Sequence, residues 1–235
     1  VSQQVPGLKT EQIWVLNSTQ IQNLSASVLN GLNSTQIKGF YYNALAGLTT
    51  AQISALSSTQ LNNLSSLQIQ AITTTDVVAL TSAQVSSLSS QSVGWLSTTQ
   101  IGSIETVDLA AMTTVQVKAI SSSQIGYLAS GQVKALSTIQ LASISSVQIK
   151  GITSGQISSF SSTQLSSLSS AQISSFAFTK PQLMSFTSAA LASLTSTQIN
   201  TIGSLKTLTP IVLDLHGDGI NTTTIQNGTT FDLGN

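Results

Sequence analysis

Apolar and polar residues recur along most of the chain in an eight-residue pattern. Over residues 97–176 each octad usually begins with Ser or Thr, carries Gln or Asp at its fourth position, and has apolar residues at its fifth and eighth positions. A separation of three between apolar residues is typical of one face of a helix and not of the alternation in a strand. The same register starts at residue 9, so that 21 consecutive octads cover residues 9–176. The chain therefore predicts a repeat architecture.

The first half of each octad carries the signals that begin a helix. Thr49 is placed to cap a helix, and Gln52 is placed to return a hydrogen bond, which together form a capping box. Leu48 and Ile53 occupy the flanking positions of a hydrophobic staple. Each octad thus predicts one very short capped helix, which is stable only when it packs against its neighbours. We expect an all-α solenoid, with a β-solenoid as the alternative because β-branched residues are frequent.

Departures from Gln at the fourth position suggest a longer period. They fall only in every second octad, at Val28, Ala44, Asp76, Ser92, Asp108 and Ala190. The other class keeps its Gln throughout residues 9–176, at Gln20, Gln36, Gln52, Gln68, Gln84, Gln100, Gln116, Gln132, Gln148 and Gln164. This alternation predicts that two octads form one coil, with a stacked amide ladder on its invariant side. Twelve such coils would make a rod of roughly 100–120 Å.

The register divides the chain into three parts. Residues 1–8 precede the octads and are expected to form an extended lead-in, and the chain's start at Val1 suggests processing or a longer parent protein. Residues 9–202 form the predicted solenoid, with a two-residue insertion near residues 177–181. Residues 203–235 lose the register and are predicted to form a small segment of strand and loop.

Composition adds a neutral surface to this picture. The chain is 40% hydrophobic and only 6% charged, with a formal net charge of zero. Such a surface attracts neither nucleic acid nor anionic membrane, and it permits self-association because copies do not repel one another. There is no cysteine, and no apolar run is long enough to predict membrane insertion. One histidine is too few for a histidine cluster, and we predict no enzymatic activity.

Acidic residues near the C-terminus form the one candidate metal site. Asp214, His216 and Asp218 alternate with other residues before Gly219. Carboxylate oxygens in a tight turn suit Ca²⁺, which is therefore the candidate cofactor. An EF-hand is excluded because its twelfth position would be Ile225 rather than Glu.

The segment VLDLHGDGI at residues 212–220 resembles the VLDLDGDG segments of RTX-type proteins and large repetitive adhesins, which bacteria export by type I secretion. Residues 231–235 look like the beginning of a second such segment, and the octapeptide region is similar in composition to repeat tracts of these proteins. His216 departs from the pattern, since Asp or Asn is usual there. The resemblance implies an extracellular or cell-surface location in bacteria, folding linked to Ca²⁺, and a role in adhesion or matrix formation.

These observations predict a structural repeat protein that serves as a stalk, a spacer, or a self-associating filament or biofilm-matrix subunit. One alternative is a surface-binding adhesin module for glycans or ice, and another is a non-catalytic part of a secreted RTX-like toxin or hydrolase. Two sets of side chains are expected to serve solvation or packing instead of binding. They are the lysines Lys38, Lys118, Lys134 and Lys150, expected on one solvated face, and the aromatic residues Trp14, Trp95, Tyr41 and Tyr42.

Overall fold

The computed structural model describes residues 7–176 and 192–204, and these ranges contain 22 short α-helices and no strand. The helices are α1 Thr10–Trp14, α2 Ser18–Gln22, α3 Ala26–Asn30, α4 Ser34–Lys38, α5 Tyr42–Leu45, α6 Thr50–Ala55, α7 Ser58–Asn62, α8 Ser66–Ala71, α9 Thr74–Val78, α10 Ser82–Ser87, α11 Ser90–Trp95, α12 Thr98–Ser103, α13 Thr106–Ala111, α14 Thr114–Ala119, α15 Ser122–Gly126, α16 Ser130–Ala135, α17 Thr138–Ser143, α18 Ser146–Ile149, α19 Ser154–Ile157, α20 Ser162–Ser166, α21 Ser170–Ser175 and α22 Ser196–Ser204. The helical solenoid is confirmed, and the β-solenoid alternative is not supported.

Each octad forms one helix, and its first residue is the N-cap. Thr49 has extended backbone angles, its Oγ1 accepts from the Gln52 N–H at 3.3 Å, and Gln52 Oε1 accepts from the Thr49 N–H at 2.8 Å. The same reciprocal bonds join Thr113 to Gln116. The predicted capping box is therefore present, and it restarts a helix every eight residues.

The helices stack in three columns, because each packs against the helix three octads later in the chain. Thus α11 packs on α14 and α10 packs on α13. The first column begins with α1 and α4, the second with α2 and α5, and the third with α3 and α6; α22 continues the third column on α21. One coil therefore contains three octads.

The prediction of two octads per coil is wrong. Two octads could close a coil only if the chain reversed direction at each junction, whereas three junctions need to turn it by only a third of a circle each. Because three is odd, alternate octads fall in all three columns. Val28 and Asp76 lie in the third column, Ala44 and Ser92 in the second, and Asp108 in the first, so the departures do not define one side.

The fifth and eighth residues of the octads fill one continuous core. Ile53 and Leu56 of one octad are 0% and 5% exposed, and full burial of such a side chain contributes about 1.5–3 kcal/mol. That burial stabilises helices too short to persist alone. Helices α1 to α21 make seven coils, which at the usual separation of packed helices span about 55–70 Å. For the same number of octads, three per coil instead of two makes the rod two-thirds as long as predicted.

Hydrogen bonds at the last described helix keep the same pattern with a longer separation. Gln198 Nε2 donates to the carbonyl of Leu168, 30 residues earlier, whereas in earlier coils the corresponding separation is 28 residues. The difference equals the two extra residues in the sequence between them. Within the described ranges no helix is long and apolar enough to cross a membrane.

Candidate functional site at the junctions between coils

The glutamine at the fourth octad position joins one coil to the coil before it. Gln116 Oε1 accepts from the Thr113 N–H at 2.8 Å, at the start of its own helix. Its Nε2 donates at 2.7 Å and 2.8 Å to the carbonyls of Val85 and Leu88, at the end of α10 and just before α11. We call this set of bonds the glutamine staple. It links the beginning of one helix to the end of a helix one coil earlier.

The staple recurs at most junctions. The Nε2 donates to the carbonyl 28 residues earlier at distances of 2.5 to 2.9 Å in Gln36, Gln52, Gln60, Gln68, Gln84, Gln100, Gln116, Gln124, Gln132, Gln140, Gln148, Gln156, Gln164 and Gln172. Glutamines of both octad classes form it equally. The predicted amide ladder on one side is therefore wrong, since the amides bind backbone groups at all three corners. Gln20 lies in the first coil, is exposed, and accepts from the Asn17 N–H.

Backbone hydrogen bonding explains why the position is glutamine. A helix leaves its last carbonyls without internal partners, and each buried, unpaired group costs about 1–3 kcal/mol. The side chain must accept from the N–H of its own N-cap residue and donate to carbonyls of the preceding coil. Glutamate would satisfy a capping box but cannot donate. No octad in residues 9–176 has glutamate at its fourth position. This absence indicates that the side chain must also donate a hydrogen bond, a requirement that the capping-box prediction did not include.

Ser92 is too short for a staple, and Asn62 replaces it from the preceding coil. Asn62 Oδ1 accepts from the Ser89 N–H at 2.7 Å and from Ser92 Oγ at 3.3 Å. Asn62 Nδ2 donates to the Ser87 carbonyl at 2.8 Å. The same junction is therefore closed by an amide that reaches in the opposite direction.

We expect Asn62→Ala to lower the free energy of unfolding by about 1–3 kcal/mol, because the Ser89 N–H loses its acceptor in a partly buried junction. Introducing Ser92→Gln into that variant should recover most of the loss by restoring a staple. Urea denaturation of the two variants and the parent checks this. A double variant no more stable than Asn62→Ala would contradict the proposed exchange.

Two aspartates also replace the glutamine. Asp76 accepts from Thr73 Oγ1 at 2.6 Å, and Asp108 accepts from the hydroxyl of Ser82, one coil earlier. Both are buried, and in the described ranges no buried side-chain nitrogen or oxygen lacks a hydrogen-bond partner. The two carboxylates lie in different columns and form no acid–base pair.

Charged and aromatic side chains are spread over the three columns. Lys38 and Lys134 lie on the first column, Lys118 on the second and Lys150 on the third, so the expected single lysine face is wrong. Trp95 packs against the core as expected.

Trp14, Tyr41 and Tyr42 form a cluster at the first coils, in which Trp14 and Tyr41 are exposed. Trp14 is 60% exposed, and its ring meets Tyr41 edge-on at 5.9 Å. A hydrogen bond with the adjacent Tyr42 raises the pKa of Tyr41. Packing in the core therefore does not account for Trp14.

Asp214, His216 and Asp218 lie outside the described residues, so the Ca²⁺ site stays a prediction. Within the described ranges no group of three or more His, Cys, Asp or Glu residues could hold a metal ion.

Comparison with known families identifies the repeat. Residues 69–103 and 101–138 match a family model described as the ALTTAQ repeat, and no curated protein sequence matches the chain. The matched segments run from α8 to the beginning of α17, within the stapled coils, and they do not reach residues 212–220, on which the RTX resemblance depends. This chain is a repeat protein with a helical, solenoid-like architecture.

Proposed function

We propose that this chain is a structural repeat protein, serving as a stalk, a spacer, or a self-assembling filament or matrix subunit at a bacterial surface or in a biofilm. The observation that supports the proposal most is the continuity of the solenoid. In the described residues one core extends from Ile13 to Phe176 and also includes Leu194, and staples connect each coil to the coil before it. Length and stiffness are the properties that such a molecule supplies.

The staples also suit a spacer because each one joins a glutamine side chain to backbone groups of its own coil and of the preceding coil. The third position of every octad in residues 9–176 is exposed, and the sixth is mostly exposed, so most of these side chains can vary while the staples keep the same backbone partners. The number of octads can therefore change without altering the contacts that hold the rod together, as in other solenoids. The extracellular location rests on the resemblance of residues 212–220, and self-association rests on the neutral surface.

Deletions that change the length of the rod test the proposed spacer role. Deletion of residues 97–120 removes one whole coil and should shorten the molecule by about 8–10 Å while it stays helical. Deletion of residues 97–100 removes half an octad and should disrupt the stacking of every later helix. Small-angle X-ray scattering gives the maximum dimension, and circular dichroism gives the helix content.

A compact or flexible scattering profile for the parent chain would contradict the spacer role. So would equal helix content in the two deletions, because the coils would then not depend on the octad register. Sedimentation of the full chain with and without Ca²⁺ tests self-assembly separately, and a monomer at high concentration in both conditions would remove the filament role.

A further inference from the structure

Two equivalent grooves lie between stacked helices. In each, an aromatic ring comes from one helix and a lysine comes from the helix stacked on it one coil later. Thr10, Glu11, Trp14, Val15, Lys38 and Gly39 line the groove between α1 and α4. Ser122, Ser123, Gly126, Tyr127, Lys150 and Gly151 line the groove between α15 and α18. The two sets occupy the same octad positions. We call them the Trp14 groove and the Tyr127 groove.

A glycine beside each lysine allows the two helices that border the groove to lie close together. A Cβ on Gly39 would lie 2.7 Å from Thr10 Cγ2, and a Cβ on Gly151 would overlap the Ser122 carbonyl. The missing side chain lets the lysine-bearing helix approach the preceding one closely. Lys38 and Lys150 are thereby placed at the edge of a groove that also contains an aromatic ring.

The sequence repeats this pairing across coils. In residues 9–176 the sixth and seventh octad positions hold aromatic residues at Trp14, Trp95 and Tyr127. The helix stacked on each of them carries a lysine at its sixth position, and these lysines are Lys38, Lys118 and Lys150. Lys134 is the exception, since α16 stacks on α13, which has Ala110 and Ala111 at those positions. The pairing occurs in all three columns, so it follows the stacking direction and not one face of the rod.

Both grooves present their rings to solvent. Trp14 is 60% exposed and Tyr127 is 61% exposed, so neither ring is needed to fill the core. An aromatic face offers a flat apolar surface with a polar handle. The hydroxyls of Thr10 or of Ser122 and Ser123 line the same grooves. The Tyr127 groove has a lysine and no acidic residue in its lining, so its charge complements an anion. The Trp14 groove also contains Glu11, which offsets the charge of Lys38, so we expect it to be the weaker of the two sites.

We propose that the Trp14 and Tyr127 grooves bind acidic carbohydrate. The face of a uronic acid ring packs on the aromatic ring, its carboxylate pairs with the lysine ammonium, and its hydroxyls bond to the Thr and Ser hydroxyls. Each site is shallow and binds weakly. A polymer that reaches several sites on one or more rods gains affinity through multivalency. The proposal adds a ligand to the rod and does not depend on the rod's self-assembly.

The test uses the full chain with an oligogalacturonate as the probe, in low-salt buffer where exposed charges are little screened. Isothermal titration calorimetry is expected to show binding that weakens about tenfold or more in the variant Lys38→Ala/Lys150→Ala, because each site loses its charge-assisted bond. Lys134→Ala, which removes a lysine with no aromatic partner, should change the affinity less than about twofold. The methyl ester of the same oligosaccharide, which lacks the charge, should bind about tenfold more weakly or worse. Trp14 fluorescence reports directly on its groove.

Several results would overturn the proposal. No heat and no fluorescence change with the oligogalacturonate would do so, and so would equal binding of its methyl ester. An equal loss in Lys134→Ala would indicate general attraction to lysines. Unchanged affinity in Trp14→Leu/Tyr127→Leu would remove the aromatic contact. These side chains are exposed, so the variants should fold, and circular dichroism verifies that each one does.

Discussion

Replacing Gln116 by Glu is expected to lower the free energy of unfolding by about 3–5 kcal/mol at neutral pH. The carboxylate can still accept from the Thr113 N–H, but it cannot donate to the carbonyls of Val85 and Leu88. The Leu88 carbonyl loses the amide donor, the Val85 carbonyl keeps only the Leu88 N–H, and a negative charge faces both oxygens inside the rod. The loss is large because Gln116 is only 2% exposed and water cannot replace the amide.

The effect of Gln116→Glu should depend on pH. Burial and the two carbonyl oxygens favour the protonated carboxyl, which raises its pKa above the ordinary glutamate value in the folded state. A raised folded-state pKa means that stability is fully present below the unfolded pKa and is lost as the pH rises through the folded pKa. The variant should therefore approach the parent at about pH 4 and fall away towards pH 8.

Gln20→Glu is the matched control for this variant. Gln20 lies in the first coil, is exposed, and only its acceptor bond to the Asn17 N–H is at stake. A surface change of this kind alters stability by about 0.5 kcal/mol or less. Urea denaturation of both variants across the pH range distinguishes the two positions. Equal losses would mean that the donor half of the staple contributes little.

Hydrogen exchange should show where Gln116→Glu acts. In a solenoid each repeat contacts only its neighbours, so stability is close to a sum of local terms. The altered junction joins the start of α14 to the end of α10, and α14 stacks on α11. The amides of these three helices should lose protection before those of α4 or α21. Unfolding of the variant then ceases to be two-state, and the two halves of the rod unfold separately.

Local structure was predictable from single octads because its causes are local. The N-cap at Thr49 and the returning Gln52 side chain lie three residues apart, and the apolar residues at the fifth and eighth positions define the buried face without further information. Helix, cap and core therefore follow from the sequence of one octad. The structure confirms all three.

The size of the coil was not predictable in the same way, because every octad presents nearly the same groups to its neighbours. Nothing in the octad of Gln116 specifies whether the helix two or three octads earlier lies beside it. The turn between helices sets that choice through packing. The alternation of invariant and variable glutamine positions suggested two octads per coil, and nothing in the structure explains that alternation.

The candidate site was predictable only in part, for the same reason. Capping explained why each glutamine oxygen accepts a hydrogen bond. The amide nitrogen, however, donates to a carbonyl of the preceding coil, such as that of Leu88 for Gln116. The pairing of Tyr127 with Lys150 likewise has no meaning until the coil is known to contain three octads. Long-range features of a uniform repeat depend on the coil period, and the period comes from the structure.

Gly151→Ala is the second change for which we expect a large effect. A Cβ at residue 151 would overlap backbone atoms of Ser122, and backbone cannot rotate away as a flexible side chain can. The helix α18 would have to move off α15, so that the core and the nearby staple of Gln148 would both be disturbed. Overpacking of this kind costs about 1–3 kcal/mol, and the contact with backbone atoms places the expected loss at the upper end of that range.

Gly155→Ala should have the opposite sign, although it lies only four residues away. Gly155 is inside α19, and a Cβ there meets nothing within 4 Å. Alanine in place of glycine within a helix stabilises by about 0.5–1 kcal/mol. Chemical denaturation of the two variants measures both effects, and Gly131→Ala, which is equally open inside α16, should repeat the gain. If Gly151→Ala also stabilised the chain, the close approach of α18 to α15 would be wrong.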